Sequence, residues 1–150
     1  MKFRFLWIGK TKDKNWRALQ EEYLRRLSHF VNCEITELKD ATGPNSVEIE
    51  GNRITASLNQ SSFVTLLDVK GRTLSSPELA AQIDKWLNQG LREVTFVIGG
   101  AEGVSREVAD RTDFALSLSF LTFTHEMARV VLLEQLYRAF TIIRGFPYQK

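Results

Sequence analysis

The stretch that most limits what this chain can fold into runs from Val94 to Thr124, VTFVIGGAEGVSREVADRTDFALSLSFLTFT, and leads straight into a helical segment, His125 to Arg144. An apolar strand, Val94–Ile98, ends abruptly at Gly99-Gly100, with Gly103 shortly after. A second apolar segment, Phe114–Leu118, ends in a turn rich in hydroxyls, Ser117 to Thr124. In a parallel sheet the ends of neighbouring strands line up on one edge, and open α/β sheets bind their ligands in the crevice there. One glycine-rich and one hydroxyl-rich loop would then form the two lips of such a crevice.

The rest of the chain fits that arrangement. Lys2–Ile8 turns from alternating to fully apolar, as a strand entering a core does. After a loop at Gly9–Lys12, Asp13 or Asn15 caps a helix from about Asn15 to Ser28, with Trp16, Leu19, Tyr23, Leu24 and Leu27 at helical spacing. Cys33–Leu38 reads as a strand, Asp40–Val47 as a loop, and Val47–Leu58 as a weak helix interrupted by Gly51. Phe63–Val69 is a buried strand, followed by a loop at Lys70–Arg72. Ser75 or Ser76, with Pro77 in the first turn and Glu78 behind it, starts a helix to about Asn88, and Gly90 ends it. Strands that alternate with helices and read as continuous apolar runs predict an α/β fold with a mainly parallel sheet. No linker, repeat or low-complexity tract interrupts the pattern, so one domain over 1–150 is expected.

The last helix carries Val130, Val131, Leu132 and Leu133 in a row, then Leu136, Tyr137, Phe140, Ile142 and Ile143. That is more apolar surface than a single stripe, and a helix apolar on more than one face must be covered on more than one side. With the sheet taken to cover one side, a second copy is expected on the other.

At 150 residues the chain can bury roughly 70% of its unfolded surface. No apolar run reaches about 18 residues, so no membrane-spanning helix is expected, and the apolar part of the N-terminus is too short for a signal peptide. The lone Cys33 rules out an intrachain disulfide and fits a reducing cytoplasm as a small apolar residue. The net charge of +2 conceals an asymmetry: residues 1–27 hold eight Lys/Arg against three acids, and residues 34–50 hold five acids against Lys39. A localised contact with a polyanion accounts for the basic segment, and so does a solvated helix face.

Gly99-Gly100-x-x-Gly103 allows close backbone approach to a ligand, but it is neither a phosphate-binding P-loop nor the dinucleotide fingerprint. Ordinary strand-to-helix turn chemistry also accounts for it. Leu67 and Asp68 close a third strand end that could line the same crevice. The chain has only two histidines, His29 and His125, and no metal-ligand spacing, so no metal is expected. His29 closes an amphipathic helix. His125 heads the last helix directly after the hydroxyl-rich loop and shares a face with Arg129; packing at the helix start is the alternative reading. No nucleophile elbow is present.

IGGAEG at 98–103, LSLSFLTFTHEMARVVLLEQLYRAFTIIRG at 116–145 and the terminal Pro147-Tyr148-Gln149-Lys150 resemble the bacterial ribosomal large-subunit pseudouridine methyltransferases of the SPOUT class. The similarity extends to IGKTKDKNWRALQEEYLRRL at 8–27 and LLDVKGRTLSSPELA at 66–80. The resemblance implies a C-terminal trefoil knot, a tight homodimer and transfer of a methyl group from S-adenosylmethionine to N3 of a pseudouridine in large-subunit RNA. It places the cofactor at Leu67, Gly99, Gly100, Gly103 and the loop Ser119, Phe120, Leu121, Thr122, Phe123 and Thr124. It points to His125, Arg129 and Tyr148 for the chemistry. RNA phosphates would be gripped by Lys10, Lys12, Lys14, Arg25, Arg26 and Arg144, together with Arg129, with the assembled ribosome as substrate. Two positions depart from the family pattern. Gln149 stands where a histidine is usual, so acid–base duty cannot be carried over to it. Thr124 stands where a proline usually precedes the histidine, a change expected to loosen the loop.

Two rival readings make different predictions. A non-catalytic RNA-binding module would need the basic segment but not the paired loops, and a small-molecule enzyme on the same fold would turn over without ribosomes.

Overall fold

The computed structural model describes residues 1–148, so Gln149, and the change at that position, lie outside the described residues. Five parallel strands form one sheet: β1 (Lys2–Ile8), β2 (Asn32–Leu38), β3 (Phe63–Thr73), β4 (Glu93–Ile98) and β5 (Phe114–Ser117), in the order β2-β1-β4-β3-β5. The helices between them are α1 (Lys14–Leu27), α2 (Ser46–Ser57), α3 (Ser76–Asn88), α4 (Arg106–Asp110) and α5 (His125–Arg144).

Side-chain alternation along the central strands sorts the core into two layers. Phe3, Phe5, Trp7, Phe96 and Ile98 face α1, α3 and α5, where they meet Leu27, Ile83, Trp86, Leu132, Leu136 and Phe140. Leu6, Ile8, Val64, Leu66 and Val97 face the opposite side, where they meet Ile54 of α2 and Val108 of α4. Helices on both faces explain why the strands read as unbroken apolar runs.

The helix starts follow their caps. Asp13 accepts from the backbone N–H of Asn15 and Trp16, and Ser75 forms a full capping box with Glu78. Each such cap contributes about 1 kcal/mol. The Ser75 N–H holds the Glu78 carboxyl below its ordinary range.

Three features depart from the sequence expectation. The strand expected to stop at Val69 continues to Thr73, because Lys70–Thr73 stays alongside β5 after a register shift in which Leu67 and Arg72 both lie opposite Leu116. Gly71 permits this: a Cβ there would sit 2.7 Å from the backbone of Ala115. The short helix α4 fills the stretch between the glycine turn and β5, to which the sequence reading assigns no element, started by Ser105 accepting from the Val108 N–H and anchored by buried Val108. The third departure concerns α5. It lies between α1 and α3 with the sheet beneath, so much of its broad apolar surface is covered within the chain. Met127, Val131, Ile142 and Ile143 remain half-covered.

Candidate cofactor cleft at the strand ends

The C-terminal edge of the sheet opens into a cleft of about 310 Å³, within the range of small-molecule sites. Its floor is apolar and comes from three strands: Leu66 and Leu67, midway along β3, Ile98 at the end of β4 and Leu116 of β5. One wall is the glycine turn and the other is the loop after β5, with His125 and Ala128 of α5 closing one side. The two lips anticipated from the strand ends therefore do face each other.

The glycines are needed for different reasons. Gly103 has φ +87°, in the left-handed region that side chains disfavour, and its N–H closes the turn on the Gly100 carbonyl at 3.1 Å. At Gly99 an added Cβ would sit 2.5 Å from Val104 Cγ1, and at Gly100 it would collide with Glu50 Oε1. The buried Glu50 carboxylate of α2 thus backs the turn from beneath, where it also accepts from the Ala41 N–H at 3.1 Å. The opposite lip is shaped by hydroxyls: Ser117 donates to the Ser119 carbonyl at 3.1 Å, and Ser119 Oγ accepts from the Leu121 N–H at 3.0 Å.

Of the residues assigned to the cofactor, Leu67, Gly99, Gly100, Gly103, Ser119, Leu121, Thr122 and Phe123 line the cleft. Phe120 does not: it stands 83% exposed at the tip of the loop. Thr124 does not either, since its side chain caps α5 by accepting from the Met127 N–H at 3.3 Å. A proline could not make that bond, so the departure at this position exchanges ring rigidity for a cap.

The residues assigned to chemistry separate. His125 lines the cleft. Arg129 turns away from it into the protein, 2% exposed, where it donates to the Ile8 carbonyl at 2.7 Å and to Thr11 Oγ1 at 2.9 Å. Its guanidinium lies over Trp7, 4.9 Å from the ring centre. Burial lowers its affinity for its proton, and Glu37, 3.9 Å away, partly opposes this. Tyr148 folds back on α5, donating to Glu134 at 3.0 Å and packing edge-on to Tyr137 at 4.8 Å. Tyr137 lies about 18 Å along α5 from His125 at about 1.5 Å per residue.

The basic residues also divide. Lys10, Lys12 and Lys14 surround the start of α1 beside the head of α5, because Lys12 and Asp13 donate their backbone N–H to Glu126. Arg25, Arg26 and Arg144 sit at the other end of the two helices with His29, Phe30 and Phe146. There Glu22 pairs with both Arg25 and Arg26, and the pair holds its carboxyl below the usual range, Arg26 contributing most.

Among the described residues the titratable side chains lining the cleft are Asp68 and His125, and Asp68 accepts through Oδ1 from the Lys70 N–H at 2.9 Å. No group of three or more metal-ligating side chains occurs among the described residues, and no helix among them is long and apolar enough to cross a membrane. Cys33 is packed into β2, where burial pushes its thiol up to about 11. Sequence reading missed Glu50, whose position in a weak helix gives no sign that it supports Gly100.

A strand-end cleft with apolar floor, glycine lip and hydroxyl lip on a parallel sheet defines an α/β protein with a candidate small-molecule site where such sheets bind their ligands. Comparison with known proteins narrows the class. A family model described as "Predicted SPOUT methyltransferase" matches residues 1–149. The chain is 42% identical over 159 aligned positions, spanning all of both proteins, to the Ribosomal RNA large subunit methyltransferase H of Carboxydothermus hydrogenoformans. A solved structure of a probable methylase family protein from Haemophilus influenzae superposes with a TM-score of 0.59 at 13% identity, over 99% of this chain and 70% of that one, a likeness of fold alone. The chain belongs to the SPOUT methyltransferase family. That membership makes it a methyltransferase and disfavours the non-catalytic module.

Proposed function

We propose that this chain is a single-domain, cytoplasmic enzyme that methylates N3 of a pseudouridine in large-subunit ribosomal RNA, acting on the assembled ribosome with S-adenosylmethionine as donor. The observation that carries the reading is the strand-end cleft, whose lining includes most of the residues the resemblance assigns to the cofactor, in a chain matched along its whole length by a relative named as a large-subunit ribosomal RNA methyltransferase.

The cleft suits the cofactor. Its floor of Leu66, Leu67, Ile98 and Leu116 is apolar enough to pack a purine, Ser119 and Thr122 offer hydroxyls, and Asp68 supplies a carboxylate for a cationic ligand. When bound, S-adenosylmethionine supplies an already activated methyl group, so the protein's task is to orient, desolvate and handle one proton. Phe123 lines the loop side, and Leu121, 73% exposed, would be covered by a bound ligand. His125, at the cleft wall, is the group positioned to accept or hold the acceptor's N3 proton, while Lys10, Lys12 and Lys14 bind phosphates on the same side.

The trefoil knot belongs to the same proposal. β5 lies at the sheet edge beyond β3, whereas α5 packs between α1 and α3, so residues 118–124 must cross the strand ends next to the extended arm of β3. Threading through that arm would form the knot. A homodimer is supported by the half-covered Met127, Val131, Ile142 and Ile143 on α5 and by the position of Tyr148, too far from its own cleft to serve it. In a two-fold pair with antiparallel α5 helices, Tyr148, Arg25, Arg26 and Arg144 would approach the cleft of the other copy.

The test is methyl transfer from labelled S-adenosylmethionine to ribosomes from cells lacking this protein, with separated subunits alongside. Label in large-subunit RNA of intact ribosomes is expected. Cofactor binding with transfer only to another RNA would overturn the substrate, and turnover without ribosomes would favour a small-molecule acceptor.

A further inference from the structure

An arginine sealed in a core is a costly way to fill space, because an apolar side chain of similar size avoids the desolvation of its charge. Arg129 is such a residue: it is 2% exposed, and its Nε has no partner among the described residues. What it does bond lies in one place. One nitrogen reaches the carbonyl of Ile8, where β1 ends, and another reaches Thr11 Oγ1, in the loop that follows.

Other tethers converge on that loop. Thr11 is itself buried, and its hydroxyl donates to Gln20 Oε1 at 2.6 Å. The Thr11 N–H donates to Glu37 at 3.0 Å, and that carboxylate also accepts from Trp7 Nε1 at 3.1 Å. Arg17 donates to the Thr11 carbonyl at 2.6 Å. Glu126, next to His125, accepts from the backbone N–H of Lys12 and Asp13. The segment from Thr11 to Asp13 is thus held by Glu37, Arg17 and Gln20 and, from α5, by Glu126 next to His125 and by Arg129 one turn further on. In contrast, the ammonium groups of Lys10 and Lys12 have no hydrogen-bond or ion-pair partner among the described residues. Both line a groove of about 520 Å³ with Lys39 and Arg17, where Glu37 and Asp40 are the acids. A rigid backbone that presents free ammonium groups is what a phosphate clamp requires.

We propose that Arg129 is a positioning residue: acting through Thr11, it fixes the Gly9–Asp13 loop against the head of α5, so that Lys10 and Lys12 grip the RNA phosphates flanking the target nucleotide at a set distance from His125. The inference rests on the RNA-methylation reading above and assigns Arg129 to substrate placement, not to the reacting atoms.

The experiment measures methyl transfer to ribosomes from cells lacking the protein, for the parent chain, Thr11→Val, Thr11→Ser, Lys12→Ala and the Thr11→Val/Lys12→Ala pair. Thr11→Val removes the hydroxyl between Arg129 and Gln20, so KM for ribosomes is expected to rise about tenfold, with the salt dependence of binding reduced by about one phosphate contact. The turnover at saturating ribosome and the affinity for S-adenosylmethionine stay within about twofold, since the cleft is untouched. Thr11→Ser restores the parent KM. Lys12→Ala raises KM similarly, and the pair is less than additive because both changes remove the same contact. Should Thr11→Val fail to fold, Glu126→Ala, which cuts the tether at the surface, is expected to give the same KM pattern. A fall in turnover at unchanged KM, or fully additive effects of Thr11→Val and Lys12→Ala, would overturn the assignment while leaving the methylation reading intact. Absence of any transfer by the parent chain would overturn that reading, and this inference with it.

Discussion

The two ends of α5 carry the same kinds of side chain and use them in opposite ways. At its head the loop is tied down through the Thr11 hydroxyl by Arg129 and through its backbone by Glu37, Arg17 and Glu126, and the ammonium groups of Lys10 and Lys12 have no partner among the described residues. At its foot two of the three cations are engaged: Arg25 and Arg26 share Glu22, and Arg26 also lies over Tyr23 and Tyr137, 5.5 and 5.8 Å from their ring centres. Two equal groups of basic residues in the sequence therefore offer unequal charge to a ligand. Available charge is decided by which partners the fold supplies.

The largest effect expected at the cleft end is from Gly100→Ala. The new methyl collides with the Glu50 carboxylate, which is held below by Ala41, so the turn must move. Overpacking of this kind costs on the order of 2 kcal/mol, and directed into the cleft it should lower cofactor affinity at least about thirtyfold in calorimetric titration. The two ends themselves are compared by single alanines measured for ribosome binding. Lys12→Ala should weaken it about five- to tenfold and lower the salt slope by about one, and Arg25→Ala less than about twofold, because Glu22 already neutralises that charge. Equal losses would break the comparison. Glu22→Gln sharpens it from the other side, since releasing Arg25 and Arg26 should steepen the salt slope.

Thr124→Pro should leave the thermal midpoint within a few degrees. The lost cap costs about 1 kcal/mol, and a ring at φ −60° recovers up to about 1 kcal/mol by restricting the unfolded chain. The smallest effect belongs to the tail. Burial pushes the Tyr148 phenol up, with its hydrogen bonds to Tyr23 and Glu134 adding to the shift. The docked pKa lies above the free value, so docking is fully stabilised below about pH 10 and weakens as pH rises past that point. Hydrogen exchange near Phe146 should accelerate there, and Tyr148→Phe should remove the dependence.

Much of this was legible in the sequence, for identifiable reasons. Strand and helix alternation, the Asp13 and Ser75 caps, and the glycine and hydroxyl lips all depend on local chemistry that neighbouring residues display. What stayed hidden depends on contacts between distant residues. The arm of β3 beyond Val69 is a strand only because Gly71 lets it lie against Ala115. Glu50 supports Gly100 from a helix whose periodicity is poor. Arg129 shares a face with His125 by spacing, yet the open end of β1 draws it away from the cleft. Part of the cover for α5 comes from α1 and α3, which a count of apolar residues on one helix cannot reveal.

The most direct measurement is amide hydrogen exchange with and without S-adenosylmethionine. Slower exchange at residues 99–103 and 118–123 together is the result the cleft predicts. Protection confined to one lip, or centred on the groove around Arg25 and Phe146, would contradict it.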